Sequence, residues 1–119
     1  MKKEINSIED IHFLVDAFYE RVRKDEVLAP IFNAKIKEWP PHLDKMYRFW
    51  QTVLLNQYTY NGAPFVKHQA LPIEREHFER WLTLFHETVD TLYFGTIANE
   101  AKYKAGKIGE VFQHKLGLS

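Results

Sequence analysis

Apolar residues recur along most of the chain with the three- and four-residue spacing of an α-helix. The first apolar stripe consists of Ile8, Ile11, Val15, Phe18 and Val22. Ser7 directly precedes it and is a candidate N-cap, because a serine side chain accepts a hydrogen bond from the first helical turn. Since proline disfavours helical backbone at the preceding residue, this helix must end before Pro30. The segment Leu28–Phe32 is predicted to form a tight turn or a short helical corner.

Three further amphipathic patterns predict the other main helices. Pro40 and Pro41 mark the start of the second helix. Its inward residues are Leu43, Met46, Trp50, Val53 and Leu54. The third helix ends at Gly95, and its main stripe consists of Phe78, Leu82, Phe85, Val89 and Leu92. Thr96 is expected to cap the last helix. The inward residues of that helix are Ile97, Ala101, Ala105, Ile108, Phe112 and Leu116.

Alternation of apolar and polar residues, which would indicate a strand, appears nowhere for long. The helical period is lost over Asn56–Pro64, and Phe65–Ala70 is predicted to be a short helical piece. Gly106 and Gly109 weaken the last helix and predict that another helix crosses it closely there. The pattern as a whole predicts an all-α domain of four main helices joined by short helical turns.

Length and charge exclude several classes of protein. The 119 residues suffice for one domain, residues 1–119, and not for two. Sixteen basic residues balance 16 acidic ones, which argues against a nucleic-acid partner, and no apolar run approaches the roughly 18 residues of a membrane span. The absence of cysteine excludes disulfides and thiolate metal sites. We expect a cytoplasmic protein with no nucleic-acid or membrane partner.

The content of aromatic residues is high, at 15% of the chain, and these residues are spread along its whole length. One interpretation is an ordinary helical core that is rich in aromatic side chains. The other is a core built around a large, flat group. Composition leaves both interpretations open.

Four of the six histidines are expected on solvent-facing positions, namely His12, His77, His86 and His114. Two of these belong to Glu-x-x-His pairs, Glu9 with His12 and Glu74 with His77, an arrangement that di-iron helix bundles use. Such a site also needs carboxylates from two further helices, and the predicted inward faces contain none. A di-metal carboxylate site is therefore disfavoured.

His42 and His68 lie among apolar residues. His42 follows two prolines and faces inward, where a histidine often has a structural or capping role. His68 lies in the short piece between the loop and Leu71, and such a segment can hold one imidazole at a fixed depth. A single axial histidine suits haem, because the porphyrin brings four nitrogen ligands of its own. On spacing alone, the structural alternative stays open for both histidines.

An ordered set of segments resembles the truncated haemoglobins, group III in particular, over nearly the whole chain. The segments are Phe18–Val22, Leu28–Phe32, His42 through Phe49 and Trp50, Tyr60 through Lys67 and His68, and Leu71–Ile73 through Phe78–Leu82. The resemblance implies a two-over-two helical sandwich that encloses haem b (iron protoporphyrin IX).

The resemblance also implies a role for individual residues. It makes His68 the proximal iron ligand and places Tyr19, His42 and Trp81 on the distal side. Phe32 and Met46 correspond to apolar residues at the haem. Lys45 is expected at a haem propionate, and the competing residues for this role are Arg48, Lys67 and Arg75.

The distal residues agree with the chemistry of a diatomic ligand. The Tyr19 hydroxyl and the Trp81 indole can donate hydrogen bonds, and a buried donor without an acceptor costs roughly 1–3 kcal/mol. Both donors therefore need an acceptor, which is either a ligand or a backbone carbonyl. His42 is expected to add a polar contact or to act as a gate between the pocket and solvent.

The resemblance favours reversible binding of dioxygen, nitric oxide or carbon monoxide by a monomer that has an unidentified reductase. It also leaves room for nitric oxide dioxygenase or peroxidase-like activity. A haem-dependent peroxidase-like enzyme is the first alternative, and a cofactor-free helical interaction module is the second.

Overall fold

A computed structural model of the chain describes residues 2–55 and 74–115. The elements in these ranges are β1 (Lys3–Glu4), α1 (Ile8–Lys24), α2 (Ala29–Lys35), α3 (Trp39–Leu55), α4 (Arg75–Leu92), β2 (Tyr93–Phe94) and α5 (Thr96–Lys115). Helices dominate, as the apolar spacing predicts. The predicted loop Asn56–Pro64, the short piece Phe65–Ala70 and Leu116 lie outside the described residues.

Helix α1 begins where its sequence predicts. The Ser7 side chain accepts a hydrogen bond from the Asp10 amide at 3.4 Å and so satisfies one free donor of the first turn. Acidic residues in the first turn and basic residues in the last turn complement the helix dipole. The buried face contains Ile11, Leu14, Val15, Phe18, Tyr19 and Val22. This helix therefore presents Phe18 and Tyr19 to the interior.

The predicted corner after α1 is confirmed as helix α2, which begins at Ala29 and has Pro30 in its first turn. Asp25 caps the end of α1. Its Oδ2 atom accepts hydrogen bonds from the amides of Val27 and Leu28, both at 3.0 Å. Asp25 therefore determines the direction in which the chain leaves α1.

Two helical pairs form the body of the fold, α1 with α3 and α4 with α5, and α1 also packs against α4. The core between them is aromatic. The Trp50 ring stacks on Phe85 with centroids 5.0 Å apart, and Phe18 meets Phe85 edge to face at 5.1 Å. Side chains from α1, α3 and α4 thus meet in one hydrophobic cluster. This arrangement agrees with the expected two-over-two sandwich.

A short parallel ladder joins the two strands, pairing Lys3 with Tyr93 and Glu4 with Phe94. The sequence contains no long alternation, and two residues per strand are too few to produce one. Gly95 follows β2 with a φ of +97°, a conformation that glycine adopts readily. The Asn99 amide donates to the Gly95 carbonyl at 3.0 Å, so Gly95 precedes the last helix and Thr96 is its first residue rather than its cap.

The expectation of a close helix crossing at Gly106 and Gly109 is wrong for the described residues. A methyl group added at either glycine would meet nothing within 4 Å. The two glycines therefore lower the helix propensity of α5 without making room for a described neighbour.

Among the helices that the structure describes, none is long and apolar enough to cross a membrane.

Candidate functional site

Tyr19 lies at the centre of a cluster of rings between α1, α2 and α3. Its side chain is buried, because α1 turns this position towards α3. The Tyr19 ring meets the His42 ring edge to face, with centroids 5.3 Å apart. Phe32 approaches Tyr19 from α2 at 6.3 Å. Three residues predicted from the sequence for the same site therefore lie together.

Trp39 completes this cluster and was not predicted from the sequence. Its ring lies 5.8 Å from Tyr19 and 5.6 Å from His42, measured between centroids. Trp39 is the first residue of α3, so helical periodicity gives no indication of its direction. The available signal was a large aromatic residue directly before Pro40 and Pro41, three positions ahead of His42.

Trp81, on α4, is connected to the Tyr19 cluster through the ring of Phe18. Its indole meets Phe18 edge to face at 5.8 Å and lies nearly parallel to Phe85 at 5.9 Å. Phe18 in turn lies 5.0 Å from Tyr19. Trp81 and Tyr19 therefore both contact Phe18, and Trp81 is packed on the aromatic core.

The two predicted donors have no hydrogen-bond acceptor in the part of the chain that the structure describes. No hydrogen bond joins the Tyr19 hydroxyl or the Trp81 indole N–H to residues 2–55 or 74–115. Burial raises the pKa of Tyr19, because the interior disfavours the charged phenolate. Tyr19 therefore stays protonated near neutral pH and keeps its O–H as a donor.

The other predicted site residues occupy α3 or lie outside the described residues. Met46 is partly buried against the core, whereas Lys45 is exposed. Of the residues that compete with Lys45, Arg48 pairs with Asp44 at 3.1 Å. Arg75 is exposed at the start of α4. His68 and Lys67 lie outside the described residues.

The two Glu-x-x-His pairs do not form a metal cluster. His77 belongs to a capping box, in which its Nδ1 accepts a hydrogen bond from the Glu74 amide at 2.8 Å. His12 stacks on Tyr47, with ring centroids 4.0 Å apart. Within residues 2–55 and 74–115, no group of three His, Cys, Asp or Glu side chains is placed to hold a metal ion.

His86 differs from its prediction as an ordinary surface histidine. Its Nε2 atom is buried and has no hydrogen-bond partner among the described residues. Helix α4 packs against both α1 and α5, so more of its surface is buried than a single apolar stripe indicates. His86 lies at the edge of this buried surface.

An ion pair between a buried carboxylate and a half-exposed arginine ties α4 to the corner that carries Phe32. Arg80, the residue before Trp81, donates to Asp25 Oδ1 from Nε at 2.7 Å and from Nη2 at 2.6 Å. Burial raises the pKa of the Asp25 carboxyl, but Arg80 and the amides of Leu28 and Val27 outweigh it, and the pKa lies below the ordinary value. Asp25 therefore stays ionised and connects the start of α2, which carries Phe32, to α4, which carries Trp81.

Comparison with known proteins gives the class of protein to which this fold and site belong. The sequence model of the family described as bacterial-like globin matches residues 3–111. The chain therefore belongs to the bacterial-like globins.

Its relatives narrow this class to the group III truncated haemoglobins. The chain is 41% identical to the protein named group 3 truncated hemoglobin ctb of Campylobacter jejuni subsp. jejuni, across 98% of this chain and 95% of that protein. The crystal structure of a group III truncated hemoglobin from Campylobacter jejuni superposes with a TM-score of 0.90, at 41% identity and with the same coverage of both chains. The predicted family and the predicted two-over-two globin fold are confirmed.

Proposed function

We propose that this truncated globin binds haem b through His68 and reversibly binds dioxygen and other diatomic ligands at its iron. The family supports a haem cofactor and gaseous ligands. His68, as the axial ligand, is carried over from the resemblance, because it lies outside the described residues. The observation that carries the proposal is the pair of donors, Tyr19 and Trp81, that have no described acceptor.

The described residues fit haem on its distal side. Tyr19 and Trp81 supply two neutral donors, and Phe32, Leu43 and Met46 supply large apolar side chains that are only partly covered. A flat porphyrin needs such apolar contact area, and a diatomic ligand needs the donors. We propose Lys45 as the residue that pairs with a propionate, because it is exposed on α3 beside Met46.

Bound haem would supply an iron that the His68 imidazole holds and that can take a diatomic ligand. Tyr19 donates its hydroxyl hydrogen towards that ligand, and Trp81 donates its indole hydrogen. Hydrogen-bond donors of this kind would stabilise negative charge on a bound diatomic ligand. His42, which lies edge to face against Tyr19, limits the movement of the tyrosine ring. Together these residues favour slow release of dioxygen.

Haem uptake tests the proposal first. Purified protein titrated with hemin is expected to develop the spectra of a haem protein in its ferric, ferrous and carbon monoxide-bound forms. His68→Ala should abolish stable uptake, whereas the matched variant His42→Ala should retain uptake and change only ligand kinetics. Wild-type protein that takes up no hemin would contradict the proposal and would leave the cofactor-free interaction module. Uptake that requires His42 and not His68 would reverse the two axial sides.

The two donors are tested by the rate of dioxygen dissociation. Replacing Tyr19 or Trp81 by Phe removes a donor and keeps an aromatic ring. Loss of one hydrogen bond of about 1.4 kcal/mol changes a rate about tenfold, so each variant should release dioxygen roughly ten times faster. The effects need not add, because both donors serve one ligand. Unchanged rates in both variants would show that neither donor reaches the ligand.

A further inference from the structure

Trp39 belongs to the cluster of rings around Tyr19, and the proposed function assigns it no role. The edges and faces of three rings meet there: Trp39 with His42 at 5.6 Å, Trp39 with Tyr19 at 5.8 Å, and Tyr19 with His42 at 5.3 Å. Each ring therefore limits the rotation of the other two. Pro40 restricts the backbone of Trp39, so the indole is attached to a stiff stretch of chain.

Arg23 covers the Trp39 ring from the solvent side. Its Cζ atom lies 4.7 Å from the ring centroid, within the range of a cation–π interaction. Arg23 and Tyr19 also line the same groove of about 690 Å³ between α1, α2 and α3. In the described part of the chain Arg23 forms no ion pair, whereas the neighbouring Lys24 pairs with Glu20 at 3.1 Å. The Trp39 ring is thus the described partner of this guanidinium group.

We propose that Arg23 and Trp39 are a positioning pair that sets the orientation of the Tyr19 and His42 rings and thereby slows dioxygen release. This inference rests on the proposed function and adds to it two residues that orient the side chains around the ligand. Arg23 favours the side-chain conformation in which Trp39 lies against both distal residues. Trp39 then keeps Tyr19 from rotating out of line with the ligand, because the two rings are in contact.

The size of the effect follows from the two contacts. Removal of the guanidinium group removes one exposed cation–π contact, which shifts the ratio of Trp39 conformations by about two- to fivefold. Removal of the indole removes the contacts of Trp39 with both Tyr19 and His42, so Trp39→Ala should speed dioxygen dissociation more than Arg23→Gln does. We expect at least a threefold increase for Trp39→Ala. Trp39→Phe and Arg23→Lys retain a ring or a cation and should stay within about twofold of wild type.

The experiment uses the full chain and two measurements. The first is the dioxygen dissociation rate of the haem-loaded variants. The second is the NMR signal of the His42 ring protons, which senses the ring currents of Tyr19 and Trp39 and can be recorded with or without haem. Lys24→Gln is the matched control, because Lys24 is the neighbouring cation on α1 and pairs with Glu20 rather than with the cluster. A thermal unfolding midpoint is recorded for every variant.

The proposal is supported when Trp39→Ala and Arg23→Gln move both the His42 signal and the dissociation rate and the conservative variants restore them. It is overturned if Trp39→Ala leaves the dissociation rate at its wild-type value, if Arg23→Gln moves neither the rate nor the His42 signal, or if Lys24→Gln changes them as much as Arg23→Gln. Wild-type protein that binds no hemin refutes the proposed function instead. In that case the His42 signal still shows whether Arg23 and Trp39 orient the ring.

Discussion

Replacing Asp25 by Ala is the most informative test of what stabilises the turn between α1 and α2. The carboxylate accepts hydrogen bonds from the amides of Val27 and Leu28 and from the guanidinium group of Arg80. The substitution leaves these donors without their acceptor and loosens the link between the corner and α4. We expect a lower free energy of unfolding, and weaker haem uptake because Phe32 and Trp81 lie on either side of this link.

The magnitude follows from the exposure of each donor. Leu28 is 1% exposed, so its amide cannot turn to water, and an unsatisfied buried donor costs about 1–3 kcal/mol. Val27 is 39% exposed and its amide loses about 1 kcal/mol at most. The Arg80 side chain keeps 46% exposure and can rehydrate, so its loss adds little. The total expected for Asp25→Ala is about 2–3 kcal/mol.

Urea unfolding followed by far-UV circular dichroism measures this difference, with wild type and variant in the same haem state. The midpoint should fall by about 1–2 M. Arg80→Gln is the control, because it removes the ion pair and leaves both amides bonded to the carboxylate. It should destabilise less than Asp25→Ala. An equal or larger loss for Arg80→Gln, or less than about 1 kcal/mol for Asp25→Ala, would refute the reasoning from the buried amide.

The pH dependence of the stabilisation by Asp25 has a definite sign, which the variant Asp25→Asn tests. The pKa of Asp25 in the folded protein lies below its ordinary value, so the unfolded chain takes up a proton first as the pH falls. Stabilisation by Asp25 is therefore complete above about pH 4 and declines as the pH falls through the pKa of the folded state. The difference in unfolding free energy between wild type and Asp25→Asn should shrink on acidification. A difference that grows would contradict this assignment.

Four further substitutions test other parts of the fold by the free energy of unfolding. Gly95→Ala should destabilise by about 1–2 kcal/mol because of its positive φ, whereas Gly106→Ala in a helix with open space around it should be neutral or stabilising by up to about 1 kcal/mol; equal effects would contradict the backbone argument. Phe18→Ala should cost about 3–5 kcal/mol, since Phe18 is fully buried between two helices, and a loss below about 2 kcal/mol would show that the core collapses around the gap. Tyr47→Phe removes the hydrogen bond to Asp16 and should cost about 0.5–1.5 kcal/mol, with unchanged stability as the contrary result.

The helices and one part of the site could be predicted from local sequence. The apolar stripe of α1 turns Phe18 and Tyr19 to the same interior, and Ser7 caps the helix as its position predicts. His42 faces inward on α3, where its ring meets Tyr19. These features depend on helical spacing, which a single sequence carries in full. The specific role of each residue came from the ordered resemblance, since spacing alone left structural alternatives open.

Other features depend on which elements meet, and local sequence does not contain that information. Asp25 and Arg80 are 55 positions apart, and only the packing of the α1 corner against α4 brings them together. The same applies to β1 and β2, which are short strands from distant parts of the chain. Trp39 was missed because the first residue of a helix has no preceding turn to define its face. Sequence reasoning therefore found the inward faces and missed the contacts between elements.

The rings of Trp50, Phe85 and Trp81 have a spectroscopic consequence. Trp50 and Trp81 each lie nearly parallel to Phe85, at interplanar angles of 16° and 14°. Two indoles held at fixed orientations in an asymmetric interior give rise to near-ultraviolet circular dichroism, which vanishes when tight packing is lost. The protein therefore carries an intrinsic optical reporter that separates a loosely collapsed helical globule from the natively packed chain, before any pigment is added.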